Sequence, residues 1–217
     1  MSDRKPLDIT RFKENAKEVL HKLKASRRAD HSEDLFTMAL ALSAAVKKVF
    51  FEKSGTKFFS EPVVVKKTID QFMRRMRVDG VKKFEASTLF SAVHLFKNAA
   101  AVKDEDPLGV VIVYIERMTV PEVLQLLRYP EVDYDNNAEV LDGTGTIANL
   151  ITGQFKKELA VLGYPDLELS HFNSYVNTYA EGIDYPRDQV ELYEINFAID
   201  RTKSIVVEMV MSPLPKL

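Results

Sequence analysis

The chain contains no cysteine and no tryptophan. Without cysteine it can have no disulfide framework, thiolate zinc site, iron–sulfur cluster or cysteine nucleophile. Histidine is scarce: His21, His31, His94 and His171 show neither HExxH nor paired spacing, which disfavours a histidine metal site. No run approaches the roughly 18 uninterrupted apolar residues of a membrane-spanning helix, so none is expected. The opening MSDRKPLDITRFKEN lacks the apolar core of a signal peptide, and a cytoplasmic protein is expected. An excess of one charge is also missing. Thirty Lys and Arg against 32 Asp and Glu leave a formal charge of -2, which argues against nucleic-acid binding by overall charge. What is present is apolar mass: 46% hydrophobic residues in 217, with 13 Phe and 8 Tyr. Such a chain can fill a core and is not generally disordered.

The charges that do occur are unevenly placed. Residues 1–30 hold nine Lys/Arg and five Asp/Glu, and the segment 66–83 holds seven bases against two acids. Residues 131–142 hold five acids and no base. A basic stripe can serve a phosphate, nucleic acid or an acidic partner, or be only a solvated helix face. The acidic stretch reads as a surface loop leading into a helix start, because Asp and Asn cap free backbone N–H groups.

Periodicity organises the rest. Phe12, Ala16, Val19 and Leu23 predict an amphipathic helix within an N-terminal extension, residues 1–31. From residue 32 onward one domain is expected, with a basic insertion near 66–83. TKFFSEPVVVKKT carries short strand signals broken by Pro62, and a charged helical segment is expected to follow it to about Lys83. Leu35, Met38, Ala39, Leu42, Ala45, Val46 and Val49 form the broad stripe of a helix lying on a sheet, capped by Ser32 or Asp34 and stopped at Gly55. STLFSAVHLFKN and GVVIVYIERM predict antiparallel neighbours, with His94 as a packed strand residue. TVPEVLQLLRYP predicts a short helix capped by Thr119 and closed by Pro130. A long helix follows from about Asn137 to Leu162. Residues 167–182 mix turn and strand signals, with Asn173, Tyr175 and Asn177 as polar-aromatic surface candidates. QVELYEINFAID and SIVVEMVM predict a closing hairpin turned by Asp200–Lys203. The fold class expected is α+β: two layers, an antiparallel sheet covered by two long helices.

The long helix carries the unusual chemistry. At about 100° per residue, Val140, Ile147, Ile151, Phe155, Leu159 and Leu162 share the face predicted to be buried. Asp142, Thr146, Asn149, Gly153 and Lys156 share a polar face. Gly143, Gly145 and Gly153 each cost a helix roughly 0.5–1 kcal/mol relative to alanine, so something is expected to approach the backbone there. That neighbour is either an element of the same chain or an incoming protein that takes up Thr146 and Asn149. GTGT is no nucleotide loop, since neither GxxxxGK[ST] nor a strand-borne GxGxxG is present.

The strand pair, the short helix and DGTGTIANLITGQFKKEL together resemble the CheX-type branch of the CheC/CheX/FliY chemotaxis phosphatases. Proteins of that family carry a helix of the form D-x-x-x-E-x-x-N-x-x-x-G-x-x-K. Asp142, Thr146, Asn149, Gly153 and Lys156 match it here, with Thr146 at the position of the family Glu. The closing strand pair and the helix at 34–54 extend the likeness over about residues 34–211. The resemblance implies a CheX-like fold, a homodimer built through sheets, and a CheY-type receiver domain carrying an aspartyl-phosphate as partner. It implies that Asn149 orients water, that Asp142 and Thr146 flank it, and that Gly145, Gly153 and Lys156 meet the partner. No resident cofactor is implied; Mg2+ would arrive on the receiver.

Thr146 is the departure. A hydroxyl is uncharged and shorter than a carboxylate, so it cannot reproduce a carboxylate–lysine contact across the same gap. Asp142 sits one turn away, about 6 Å along the axis. Three readings follow: receiver binding without catalysis, receiver phosphatase activity through Asn149, and nucleic-acid contact through Lys66, Lys67, Arg74, Arg75, Arg77, Lys82 and Lys83.

Overall fold

The computed structural model describes residues 33–69, 84, 87–176, 183, 185, 186, 189 and 191–214. The predicted N-terminal helix, the basic segment beyond residue 69 and Asn177 lie outside them. Helix α1 runs through residues 33–54, and Gly55, at φ +70°, ends it with its N–H on the Phe51 carbonyl. Then follow β1 (Val63–Thr68), β2 (Thr88–Phe96), α2 (Ala99–Lys103) and β3 (Gly109–Glu116). A turn of 3-10 helix leads into α3 (Val120–Leu126) and α4 (Asn137–Val161). β4 (Glu168–Leu169), β5 (Asn173–Val176), β6 (Glu191–Ala198) and β7 (Ser204–Met211) complete the order.

One antiparallel sheet runs β1-β6-β7-β3-β2, with β4 and β5 both pairing β2. The order has an internal symmetry. Exchanging α1-β1-β2-β3 for α4-β5-β6-β7 reverses the strand sequence and leaves it unchanged. Each half therefore lends its first strand to the other: β1 pairs β6, and β5 pairs β2.

Both long helices lie on one face of this sheet, as expected. Met38, Leu42, Val46 and Phe50 of α1 join Ile147, Ile151 and Phe155 of α4 and alternate strand residues such as Val93, Val111, Ile195 and Val207 in one cluster. Burying each large apolar side chain contributes roughly 1.5–3 kcal/mol of transfer free energy. The opposite face is not simply wet. Phe90, Ile112, Tyr114, Val206 and Val210 form a second cluster with Phe84, Ile183 and Tyr185. Within it Glu194 and Glu208 face each other across the β6–β7 ladder. The Tyr114 hydroxyl donates to Glu208 at 2.7 Å, and the Lys67 ammonium meets Glu194 at 2.6 Å, offsetting the repulsion of opposed like charges.

Local details differ from the sequence reading. The 97–108 connection is not only a loop, because Asn98 accepts from the Ala101 N–H and caps α2. Thr119 makes no side-chain cap to α3, whose first turn carries Pro121 and needs one donor fewer. That helix closes before Pro130, through Arg128 at φ 62°. The closing hairpin is as expected, and the Asp200 carboxylate accepts from the Thr202 and Lys203 N–H groups.

Candidate functional site

The N-terminus of α4 is built to start at one residue. Asn136 accepts from the N–H groups of Ala138 and Glu139, and its own amide donates to Glu139 Oε1 at 2.7 Å. Glu139 Oε2 accepts the Asp133 N–H, closing a reciprocal cap. Arg117, at the end of β3, donates to Asn137 Oδ1 at 2.5 Å and to the Tyr134 carbonyl at 2.7 Å. Glu139 is thereby committed to the cap. Arg117 did not figure in the sequence reading of the site, although Asn-x-x-Glu ahead of an apolar period signals the cap.

From that start the helix presents two faces. Val140, Ile147, Ile151, Phe155 and Leu159 are buried as predicted. Leu162 lies past the helix end and is 38% exposed, because Gly163 at φ +85° has already turned the chain. Thr144 and Thr152 are buried too, each hydroxyl donating to the carbonyl four residues earlier. On the outer face Asp142 and Asn149 are exposed, while Thr146, Gly153 and Lys156 are half-buried. The row is continuous. Thr146 to Asn149 is one turn, about 4.5 Å along the axis, and Gly153 follows about 6 Å further. The Asn149 amide makes no hydrogen bond among the described residues, so its donor and acceptor are both available to a visitor.

The glycines divide. A Cβ on Gly143 would lie 2.6 Å from Leu124 of α3, and one on Gly145 would lie 2.1 Å from the Phe172 ring. These two serve packing inside the chain. Gly145, grouped with the partner-facing residues by sequence, has its space filled by Phe172. Gly153 alone of the three has open space where a side chain would be. Lys156 pairs with Asp166 at 3.1 Å, so its charge is partly occupied at home.

The electrostatic setting is graded along the helix. Asp133, Asp135, Glu139 and Asp142 surround its start, and Lys156 and Lys157 stand near its end. Glu158 is linked to α1 through Lys48 at 3.1 Å and accepts from Gln154 at 2.6 Å. The Gln154 hydrogen bond, and after it Lys48, hold its carboxyl below the usual range against the opposing effect of burial. No group of three or more His, Asp or Glu among the described residues is arranged to hold a metal ion. His94 is buried in β2, as expected, and Tyr175 stacks on Phe90 at 5.1 Å rather than facing outward alone. Of the basic residues considered for nucleic acid, Lys66 and Lys67 lie on β1 beside Glu191 and Glu194, at 2.8 and 2.6 Å. The remaining five lie outside the described residues. No helix among the described residues is long and apolar enough to cross a membrane.

No family model matches the sequence, and no curated protein matches it. Solved structures do match. Chemotaxis protein CheX from Vibrio vulnificus superposes with a TM-score of 0.52 at 14% identity, over 81% of this chain and 99% of that one. A CheC-like superfamily protein from Shewanella sp. PV-4 gives 0.52 at 12% identity, over 81% and 97%. FliY from Thermotoga maritima gives 0.52 at 10%, over 84% and 90%. At such identities the likeness establishes architecture: the chain has the α+β, antiparallel-sheet fold of CheX, CheC-like and FliY proteins.

Proposed function

We propose that this chain is a CheX-like chemotaxis signalling protein that docks a CheY-type response regulator on the outer face of α4. The observation that carries the reading is the exposed Asn149 with Gly153 one turn below it and no side chain filling the space there. A partner surface can reach the backbone at Gly153 while Asn149 enters its cleft. The fold shared with a CheX and a FliY protein supports the same reading.

Binding without efficient hydrolysis is the preferred form. An aspartyl-phosphate is already activated, so a phosphatase needs chiefly to place water in line and to hold the receiver's own Mg2+ and lysine. Asn149 suits the first task, since one amide both donates and accepts. Thr146 does not suit the second, and Asp142 would serve only in a docking register shifted by one turn. Active phosphatase chemistry through Asn149 is the second reading, favoured by that residue's exposure.

The test is to incubate the full chain with phosphorylated CheY-type receivers and Mg2+, following complex formation and phosphate loss separately. Binding that Gly153→Arg removes, with little acceleration of phosphate loss, supports the preferred form. Acceleration that Asn149→Ala abolishes supports the second. Binding that survives Gly153→Arg, or that protects a surface away from α4, overturns both.

A further inference from the structure

A cleft of about 590 Å³ lies between α3 and the turn of the β6–β7 hairpin, and no residue of α4 lines it. Its volume is that of a small-molecule site, about 300–1,000 Å³. Val123 and Leu126 of α3 and Ile199 of the hairpin give it an apolar wall, while Glu122, Asp200 and Lys203 give it charge. Thr119, just ahead of α3 and only 3% exposed, lines the same cleft. Its hydroxyl makes no cap to α3 and no other hydrogen bond among the described residues. Sealing a hydroxyl away without a partner costs about 1–3 kcal/mol. No sealed side-chain nitrogen or oxygen among the described residues lacks a partner, so this oxygen opens onto the cleft.

The charges of the cleft leave a remainder. Lys203 meets Glu122 Oε2 and stands 3.9 Å from Asp200 Oδ2, too far for a hydrogen bond. Asp200 Oδ1 is occupied within the hairpin, where it accepts from the Thr202 and Lys203 N–H groups. Glu122 Oε1 and Asp200 Oδ2 accept no hydrogen bond among the described residues. One ammonium against two carboxylates gives the lining an excess of negative charge. An anionic guest would meet that excess, because the ammonium already lies beside both carboxylates. A cationic guest would relieve it.

We propose that this cleft binds a small organic cation. Its ammonium or guanidinium donates to Glu122 Oε1 and Asp200 Oδ2, and its apolar body lies on Val123, Leu126 and Ile199. A polar group at the far end meets the Thr119 hydroxyl, which can donate or accept. The guest competes with Lys203 for the same two carboxylates. This is independent of the receiver reading, which rests on α4.

Calorimetric titration of the full chain with tyramine tests it, beside tyrosol and para-hydroxyphenylacetate, which keep the phenol and replace the ammonium by a neutral or an anionic group. Tyramine is expected to bind at least about tenfold more tightly than either. Glu122→Gln should weaken tyramine at least about tenfold, and Lys203→Gln should strengthen it about threefold or more by removing the competitor. Thr119→Val should weaken tyramine about fivefold, Thr119→Ser should not, and phenethylamine, which lacks the phenol, should be indifferent to both. Circular dichroism is expected to be the same for all four variants. Absence of tyramine binding up to about 10 mM overturns the proposal, as does equal binding of tyramine, tyrosol and the acid. Tighter binding of the acid, lost in Lys203→Gln, overturns it in favour of an anion site. Equal losses of tyramine and phenethylamine in Thr119→Val overturn it by reducing Thr119 to packing.

Discussion

Lys48 of α1 and Glu158 of α4 meet at 3.1 Å, joining the two helices that cover the sheet across 110 residues of sequence. Glu158 is also held by Gln154, the stronger of the two influences that lower its pKa. A carboxyl lowered in the folded state stabilises it above the unfolded pKa, and that contribution is lost as pH falls through the folded value. Lys48→Ala is expected to raise the Glu158 pKa part of the way, and Gln154→Ala to raise it further, by carboxyl-resonance titration. As Lys48 is half exposed, the cost in stability is on the order of a few tenths of a kcal/mol.

The alkaline limb should be steeper than exposed tyrosines allow. Burial, then Asp34, pushes the Tyr164 hydroxyl up to about 12, and burial followed by Glu208 raises Tyr114 and Tyr185. Raised phenols keep their protons in the folded chain while the unfolded chain releases them near pH 10, so stability declines from about pH 10 upward. Near-UV absorbance against pH is expected to show a late, cooperative tyrosine step coincident with unfolding. Tyr164→Phe should lessen the pH dependence between about 10 and 12.

Two glycines of α4 should respond with opposite signs. Gly145→Ala forces its methyl against the Phe172 ring and is expected to destabilise by about 1–3 kcal/mol. Gly153→Ala meets nothing and should stabilise by roughly 0.5–1 kcal/mol through helix propensity. Urea unfolding of the two variants decides it, and equal effects would contradict the assigned packing.

The start of α4 depends on Arg117 and Asn136. Asn136→Ala is expected to cost about 0.5–2 kcal/mol. Arg117→Ala should mainly speed hydrogen exchange across residues 133–140, because it frees Tyr134 and Asn137 together. A uniform loss of protection through the sheet would assign Arg117 a wider role.

Restoring a carboxylate probes the departure at Thr146. If the docking face is oriented as proposed, Thr146→Glu should accelerate receiver dephosphorylation by about tenfold or more, while Thr146→Gln should not. Binding retained without acceleration would place the receiver in a different register.

Most elements were legible because their periods are strong: the α1 stripe, the strands β2 and β3, and the closing hairpin each bury one consistent set of residues. The polar face of α4 was legible for the same reason. What escaped depends on partners distant in sequence. Gly145 looks available until Phe172, 27 residues later, is placed over it. The second apolar cluster escaped because Glu194 and Glu208 interrupt the apolar pattern of its strands, and only the structure shows Tyr114 and Lys67 meeting them. The exchange of edge strands left no local trace, since pairing order is not a property of any one segment.

That exchange governs how the molecule can be made. β1 waits unpaired until β6 has been synthesised, more than a hundred residues later, and β2 gains its outer neighbour only when β5 is complete. Each half lacks a strand that only the other supplies, so the fold is dominated by non-local contacts, which slow folding by the usual dependence on topology. A chain truncated before residue 191 would leave β1 without its partner strand and bare the apolar β3 edge that β7 covers, and proteolysis or aggregation of the nascent chain is the hazard such an arrangement carries.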